Sequence, residues 1–295
     1  MEETTMSLQK YTALLKTVEL GSISRAAEEM GYTQSAVSRM IADLEDQWGL
    51  DMLRRSRAGV SLTSAGKRLL PILRSIAADC AELEYTIGEL HGLRRGLIRV
   101  GTFTSVADMW LPNLLKSFQR SFPNIEFELM SSENYSEIES WIVHGQVDCG
   151  FVSMPTANDL DTVFLQRDML VAVLPPDHPL AGEAVFPVRR LEEEPFIQLK
   201  EVDYEIARFM DRTGIHPHAR YEVSGDHTTL SMVEKGLGVS VMHSLMADCG
   251  RYNVVWKNFD VRQYRDIGLA TAKNVRIPSL VKLFVEQAAG RSRLL

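Results

Sequence analysis

Four side chains between positions 34 and 39 are of the types that contact the edges of base pairs. They are Gln34, Ser35, Ser38 and Arg39. Their donors and acceptors match the groups that bases present in the major groove of DNA. The pattern predicts a recognition helix for double-stranded DNA. An ordinary surface hairpin, in which these side chains are only hydrated, is the competing interpretation.

A compact helix pair is predicted to position these side chains. Ala27, Gly31 and Val37 are spaced four and six residues apart, with Met30 and Met40 as further apolar positions. A small Ala27 lets the second helix pass closely, and Gly31 allows the positive φ of a sharp turn. Helix pairs joined by a glycine turn are common, so the spacing alone leaves both interpretations open.

A basic cluster follows this helix pair. It consists of Arg54, Arg55, Arg57, Lys67 and Arg68, and the sequence from 53 to 68 contains no acidic residue. The chain as a whole carries a formal charge of -7. Contact with DNA phosphates would therefore depend on this local charge, which is enough for counterion release. A hydrated basic face is the alternative.

Polar side chains follow several predicted strands in the remainder of the chain. They are Thr104, Ser105, Ser132, Ser153, Gln198, Ser224 and His243. Because ligands of open α/β sheets bind beyond the carboxyl ends of the strands, we expect these residues to line a small-molecule site. The hydroxyls and helix start at Thr104 and Ser105 favour a small carboxylate. The alternative is that these residues cap helices or simply close the cleft.

The sequence contains no recognisable catalytic or metal-binding arrangement, so we expect neither an enzyme nor a resident cofactor. The three cysteines, Cys80, Cys149 and Cys249, are far apart and match no metal-ligand spacing. No apolar stretch is long enough to span a bilayer, and no signal peptide is apparent. These features predict a cytoplasmic protein without a membrane partner.

Hydrophobic periodicity divides the first ninety residues into elements. We predict an amphipathic helix over 6–20, the helix pair, and a two-stranded wing over 53–62, together forming a domain over 1–63. A long helix over 64–91 then begins after Thr63, a good N-cap residue. Its apolar residues repeat as a heptad seam: Leu69, Leu73, Ile76, Cys80, Leu83, Ile87 and Leu90. Such a seam predicts a homodimer, although packing against the chain's own later domains is the alternative.

The pattern changes after a short hinge over 92–96. Strands alternating with helices over 97–295 predict a parallel sheet with helices on both faces, folded as two α/β lobes. We expect lobe one to contain 97–167 and 268–295, and lobe two to contain 168–267. A cleft should separate the lobes.

These residues resemble those of the LysR-type transcriptional regulators, bacterial DNA-binding proteins that sense small molecules. The resemblance covers nearly the whole chain. It is carried by Gly21-Ser22, Ala26-Ala27, Thr33 to Arg39, Leu44-Glu45, Gly49-Leu50, Leu53-Arg54-Arg55, Leu62-Thr63, Ala65-Gly66, Leu111-Pro112, Phe122-Pro123, Gly145 to Asp148, His178-Pro179-Leu180 and Gly236 to Val239. The chain departs from the family at Leu53, where phenylalanine is frequent, and at His243, where proline is frequent.

The resemblance implies a winged helix-turn-helix with a small β wing, a linker helix that forms an antiparallel dimer, and a domain similar to type 2 periplasmic binding proteins. Assembly as a homotetramer on a promoter and contact with RNA polymerase are further implications. By position, Gln34, Ser35, Ser38 and Arg39 would contact DNA, and Thr104 and Ser105 the effector.

Two other functions remain open from the residues. One is a ligand-binding or enzymatic α/β protein whose N-terminal domain serves only assembly, for which the polar face at 34–39 is a poor surface. The other is a redox sensor within the same family, which would require Cys149 and Cys249 to approach within disulfide reach.

Overall fold

The computed structural model describes residues 8–56, 59–90, 96–200 and 204–292. It confirms the predicted fold class: a winged helix-turn-helix and a long helix precede a two-lobed α/β domain. Arg57 and the first four residues of the predicted hinge lie outside the described residues, and Gly96 already belongs to a strand.

The N-terminal unit contains three helices and a wing. Its elements are α1 (Leu8–Leu20), α2 (Ile23–Glu29), α3 (Gln34–Trp48), β1 (Leu53–Ser56) and β2 (Gly59–Leu62). The Ser22 hydroxyl caps α2 by accepting from the amide of Arg25. Gly31 has a φ of +69°, which permits the predicted turn between α2 and α3. Val37 then lies in the core and leaves the polar side of α3 facing outward.

A half-buried carboxylate joins the wing to α3. Glu45 Oε1 accepts hydrogen bonds from the amides of Met52 at 2.7 Å and Leu53 at 3.0 Å. Hydrogen bonds to a charged acceptor are stronger than neutral ones. The wing is therefore held at a defined position beside the recognition helix.

The linker helix α4 (Ser64–Leu90) begins at the predicted cap. The Thr63 hydroxyl accepts from the amide of Gly66 at 3.0 Å and donates to the carbonyl of Asp51 at 2.6 Å. One side chain thus caps α4 and connects its start to Asp51, two residues before the wing.

Removing this cap should weaken the N-terminal unit. We expect Thr63→Ala to lower its free energy of unfolding by about 1 to 2 kcal/mol, because the first turn of α4 loses a hydrogen-bond acceptor. Urea unfolding followed by circular dichroism measures the change. Ser64→Ala, at the exposed neighbouring position, is the matched control. Equal midpoints for the two variants would contradict the capping role.

The heptad seam divides into two parts. Leu69, Leu73 and Ile76 pack into the core of the N-terminal unit, and so meet neither a partner chain nor the later domains that the alternative named. Leu83 and Ile87 are 60% and 46% exposed. The second half of the seam therefore presents an apolar edge to solvent.

The two-lobed domain contains the remaining elements. Its helices are α5 (Thr104–Met109), α6 (Leu111–Ser121), α7 (Tyr135–His144), α8 (Tyr204–Thr213), α9 (Asp226–Glu234), α10 (Ser244–Ala247) and α11 (Ser279–Ser292), with a 3-10 turn over Val188–Glu192. Its strands are β3 (Gly96–Thr102), β4 (Ile125–Ser131), β5 (Cys149–Met154), β6 (Leu160–Leu174), β7 (Val185–Phe186), β8 (Phe196–Leu199), β9 (Ala219–Val223), β10 (Ser240–His243), β11 (Val255–Phe259) and β12 (Tyr264–Ala272).

The prediction of a parallel sheet is wrong for the strands that join the lobes. β3 is parallel to β4 and β5, and β8 is parallel to β9. β12, however, runs antiparallel to β5 and β6, and β6 runs antiparallel to β10 and β11. The reason is that β6 carries the chain from one lobe to the other and β12 carries it back.

The sequence did not predict the first half of the long strand β6. Polar residues at Asp161, Thr162, Gln166 and Arg167 interrupt the apolar pattern until Leu170. Up to Met169, β6 pairs with β12, whereas Leu170–Leu174 pairs with β10 and β11. One strand therefore belongs to both lobes and fixes the cleft between them.

Each lobe has its own core. Lobe one packs around Phe103, Phe118, Phe151 and Phe284. In lobe two, Leu170 and Ala172 face one core while Val171 and Val173 face another on the opposite side of the sheet. This alternation is the period of two that a strand buried on both faces requires. None of the described helices is long and apolar enough to cross a membrane.

Candidate functional site

The outer side of α3 and the wing form one polar surface. Gln34, Ser35 and Arg39 are exposed, and Ser38 is half-buried. The Ser38 hydroxyl accepts a hydrogen bond from Arg55 Nη1 at 3.2 Å, so the wing arginine reaches across to the recognition helix. The predicted base-reading and basic residues therefore lie side by side.

The described members of the basic cluster do not all face the same way: Arg55 reaches α3, whereas Lys67 lines a cavity together with Val143 and Asp159 of lobe one. Arg54 and Arg55 are exposed on β1, opposite Ser61 and Val60 on β2. Lys67 and Arg68 are exposed in the first turns of α4. The exposed guanidinium groups on β1, beside α3, suit contact with phosphates.

A cleft of about 200 Å³ lies between the two lobes. Its described lining includes three of the seven predicted ligand residues, Thr104, Ser105 and His243. The other lining residues are Glu133, Leu199, Ile206, Gly225, Asp226, His227, Thr228, Met242, Met246 and Arg265. A site of this size at the crossing of the lobes, with both polar and apolar side chains in its lining, is suited to a small ligand.

The donors expected to be free at Thr104 are already engaged. The Thr104 amide donates to Glu133 Oε1 at 2.9 Å, and the Thr104 hydroxyl donates to the same oxygen. Glu133 thus occupies the position that an external carboxylate was expected to take. The structure therefore corrects the expectation that the helix start at Thr104 is open to a ligand carboxylate.

A buried ion pair lies behind Ser105. Arg265 donates to Asp168 Oδ2 from Nε at 3.0 Å and from Nη2 at 2.7 Å, and Nη2 also donates to the Ser105 hydroxyl at 2.7 Å. The guanidinium packs 4.7 Å from the centre of the Phe103 ring. Ser105 is therefore buried and bonded within the chain.

Asp168 is held by the lobe-two side as well. Its Oδ1 accepts from the Ser244 hydroxyl at 2.8 Å and from the Leu245 amide at 2.9 Å. His243, where the family often has proline, lies with Nδ1 3.9 Å from Asp168 Oδ2. Asp168 and Arg265 sit on β6 and β12 where these strands pass between the lobes, so the pair connects the cleft with both crossing strands.

The other four predicted ligand residues are not among the described residues that line the cleft. The Ser132 hydroxyl donates to Glu137 Oε2 at 2.6 Å near the start of α7. Gln198 is half-buried on β8, and Ser224 is exposed after β9. The Ser153 hydroxyl donates to Glu205 Oε1 at 2.6 Å and so connects β5 of lobe one with α8 of lobe two.

A second contact spans the mouth of the cleft. His227 Nε2 of α9 lies 2.6 Å from Asp108 Oδ2 of α5, and the Tyr252 hydroxyl lies 3.3 Å from His227 Nδ1. Sequence reasoning missed Glu133, Asp168, His227 and Arg265, because their contacts join distant segments. It also missed Asp226. One local signal could have indicated this site: the charged Asp168 stands just before the apolar half of β6.

The described residues contain no group of three or more His, Cys, Asp or Glu side chains that could hold a metal ion. Cys149 is buried in lobe one, and burial raises the pKa of its thiol well above the usual value. A thiol protected and protonated in this way is a poor target for oxidants. The structure therefore offers no support for the redox-sensor alternative at Cys149.

The N-terminal unit contacts lobe one directly. Arg74 Nη1 of α4 donates to the carbonyl of Val143, and Gln146 Nε2 donates to the carbonyl of Glu19 at 2.6 Å. Burial lowers the pKa of Arg74 to about 10. The end of α7 is thereby attached to both α1 and the linker helix.

Two family models match the chain. Residues 8–67 match the bacterial regulatory helix-turn-helix protein of the lysR family, and residues 91–293 match the LysR substrate binding domain. A relative from Bacillus subtilis, the uncharacterized HTH-type transcriptional regulator YvbU, is 29% identical over 290 residues, covering 96% of this chain and 98% of the relative.

Solved structures agree with this fold. A full-length OxyR variant from Pseudomonas aeruginosa is 20% identical and superposes with a TM-score of 0.72, covering 97% of this chain and 95% of that one. The CcmR regulatory domain of Synechocystis in complex with 2-PG is 21% identical and has a TM-score of 0.61, covering 68% of this chain and 98% of that domain. The chain therefore belongs to the LysR family of transcriptional regulators, with an N-terminal DNA-binding unit and an effector-binding domain.

Proposed function

We propose that the outer side of α3 reads bases in the major groove of promoter DNA. Gln34, Ser35, Ser38 and Arg39 would contact base edges, while Arg54, Arg55 and Arg57 would contact phosphates. The observation that carries this assignment is the hydrogen bond from Arg55 to Ser38. It places a guanidinium group suited to phosphate contact beside the side chains proposed to read bases. The net negative charge of the rest of the chain restricts such contact to this surface.

The effector in this proposal binds in the cleft between the lobes. Thr104, Ser105 and His243 line this cleft. The other predicted residues, Ser132, Ser153, Gln198 and Ser224, are not in its described lining, so they would affect the effector only indirectly. Lobe one spans about 97–167 and 268–295 and lobe two about 168–267. Binding, and no catalytic step, would change the orientation of the lobes and hence promoter activity.

Contacts between the effector-binding domain and the N-terminal unit provide a route for this signal. Arg74 and Gln146 join α7 of lobe one to the linker helix and α1. A movement of lobe one would therefore change the position of the linker helix α4, which is joined to the DNA-binding unit. Coupling of this kind requires a differential affinity of the effector for two arrangements of the lobes.

The protein is proposed to act as a homodimer through residues 64–91, and as a homotetramer on a promoter. The exposed edge at Leu83 and Ile87 supports the dimer, since a seam of this kind is stabilised by burial against a second helix. The proposed location is cytoplasmic, where the protein would meet promoter DNA and RNA polymerase.

Selection of fragments from the source genome by the purified protein tests this function. We expect enrichment of a short inverted repeat from a promoter. On that repeat Arg39→Ala should weaken binding by about 1 to 3 kcal/mol, because a base contact is lost. Fluorescence anisotropy at fixed salt measures the difference.

The matched control replaces an exposed arginine far from the recognition helix. Arg120→Ala on α6 removes the same charge from the effector-binding domain. We expect its operator affinity to equal that of the unsubstituted protein. If Arg39→Ala and Arg120→Ala bind the repeat equally well, Arg39 does not read a base.

A further inference from the structure

The charges around the cleft indicate which class of effector it takes. The described lining carries two carboxylates, Glu133 and Asp226, and one guanidinium, Arg265. Arg265 is already bonded twice to a third carboxylate, Asp168, which is fully buried behind it. Taken together, these four groups give the cleft a negative balance.

The two donors of Thr104 that an anionic ligand was expected to use are also engaged. The amide and hydroxyl of Thr104 donate to Glu133, and the Ser105 hydroxyl accepts from Arg265. To reach the donors of Thr104, a ligand carboxylate would have to displace Glu133. It would also meet Asp226, whose charge has the same sign.

A further observation concerns Glu205, which precedes Ile206 in sequence, lies outside the described lining of the cleft and joins the two lobes through Ser153. Glu205 is buried, with 9% of its surface exposed. Ser153 donates to Oε1, whereas buried Oε2 has no hydrogen-bond partner among the described residues. A buried carboxylate oxygen without a donor is costly, and a cation or an N–H donor nearby would relieve that cost.

Histidines do not reverse this balance. His227 lies against Asp108 at 2.6 Å, and His243 lies 3.9 Å from Asp168. Each imidazole therefore faces a carboxylate of the same region. Every cationic or potentially cationic side chain described in the lining has an acidic neighbour.

We propose that the cleft binds an effector with a protonated nitrogen, such as an amine, amidine or guanidine, with Glu133 and Asp226 as its counter-charges. This inference rests on the proposed function of the cleft as the effector site. It replaces the small carboxylate expected from the sequence. A pair of carboxylates at the cleft would give the ligand nitrogen charge-assisted hydrogen bonds.

Thermal shift of the full chain with matched probes tests the ligand class. Putrescine, cadaverine and ethanolamine are compared with succinate, glutarate and glycolate, each pair having the same carbon number, at constant ionic strength. We expect at least one amine to raise the Tm and its matched carboxylate to leave the Tm unchanged. Titration of the active amine then gives its Kd.

Substitutions localise the effect. Glu133→Gln and Asp226→Asn should each weaken amine binding at least roughly tenfold, because each removes one counter-charge. Asp177→Asn, at an exposed position outside the described lining, should bind the amine as the unsubstituted chain does. Asp226→Glu restores the charge and should recover binding, which separates loss of charge from loss of folding.

The outcomes distinguish this inference from the function on which it rests. Stabilisation by a carboxylate but by no amine would overturn the cationic class while leaving the cleft as an effector site. Stabilisation by neither class, or amine binding that survives both substitutions, would also overturn it. Failure of the protein to enrich any promoter fragment would instead count against the regulator itself.

Discussion

Replacing Arg265 by methionine is expected to lower the free energy of unfolding of the effector-binding domain by about 3 to 5 kcal/mol. Arg265 and Asp168 have side-chain exposures of 3% and 0%, so water cannot compensate the remaining charge. Removing Arg265 leaves Asp168 with the donors from Ser244 and Leu245 among the residues that the structure describes. Methionine keeps most of the volume, so the loss reports the buried charge and its hydrogen bonds.

The adjacent strand provides a matched control for this prediction. Arg167 pairs with Asp266 through two hydrogen bonds, but both groups lie at the surface side of the same two strands. Exposed ion pairs contribute little to stability, so Arg167→Met should scarcely move the urea midpoint. Tryptophan fluorescence during urea unfolding compares the two variants. Equal midpoints would show that the Arg265 pair is not a stabilising buried interaction.

Glutamate at both Leu83 and Ile87 is expected to dissociate the proposed dimer. Fully burying one aliphatic side chain contributes about 1.5 to 3 kcal/mol, and a dimer contains two copies of each position. Because Leu83 and Ile87 are only partly exposed before association, we expect a total loss of about 3 to 6 kcal/mol. The dimer Kd should therefore rise by at least roughly a hundredfold.

Light scattering coupled to size exclusion measures this change in mass. Ala81→Glu places the same charge on an exposed position of α4 that is not part of the seam. We expect this control to remain dimeric. A dimer that persists in the Leu83→Glu, Ile87→Glu variant would locate the interface elsewhere on the chain. Operator affinity should fall when the dimer dissociates, because each protomer then binds its DNA half-site independently.

The N-terminal unit was readable from sequence because its determinants are local. Gly31, the cap at Ser22 and the spacing of Ala27 and Val37 act over a few residues, so the helix pair follows from the order of side chains. The cap at Thr63 and the two wing strands were likewise predicted and confirmed. Even there, the link from Arg55 to Ser38 spans seventeen positions and required the folded wing.

Sequence patterns by themselves determined the fold class, the family and the polar surface of α3. Tertiary structure alone decided the charge of the cleft, because Glu133, Asp168, Asp226 and Arg265 come from four separate segments. It also decided that the crossing strands are antiparallel and that Leu69, Leu73 and Ile76 pack within the chain. Periodicity reports which face of an element is apolar. What that face meets depends on contacts between residues far apart in the chain, and these exist only once the lobes have folded.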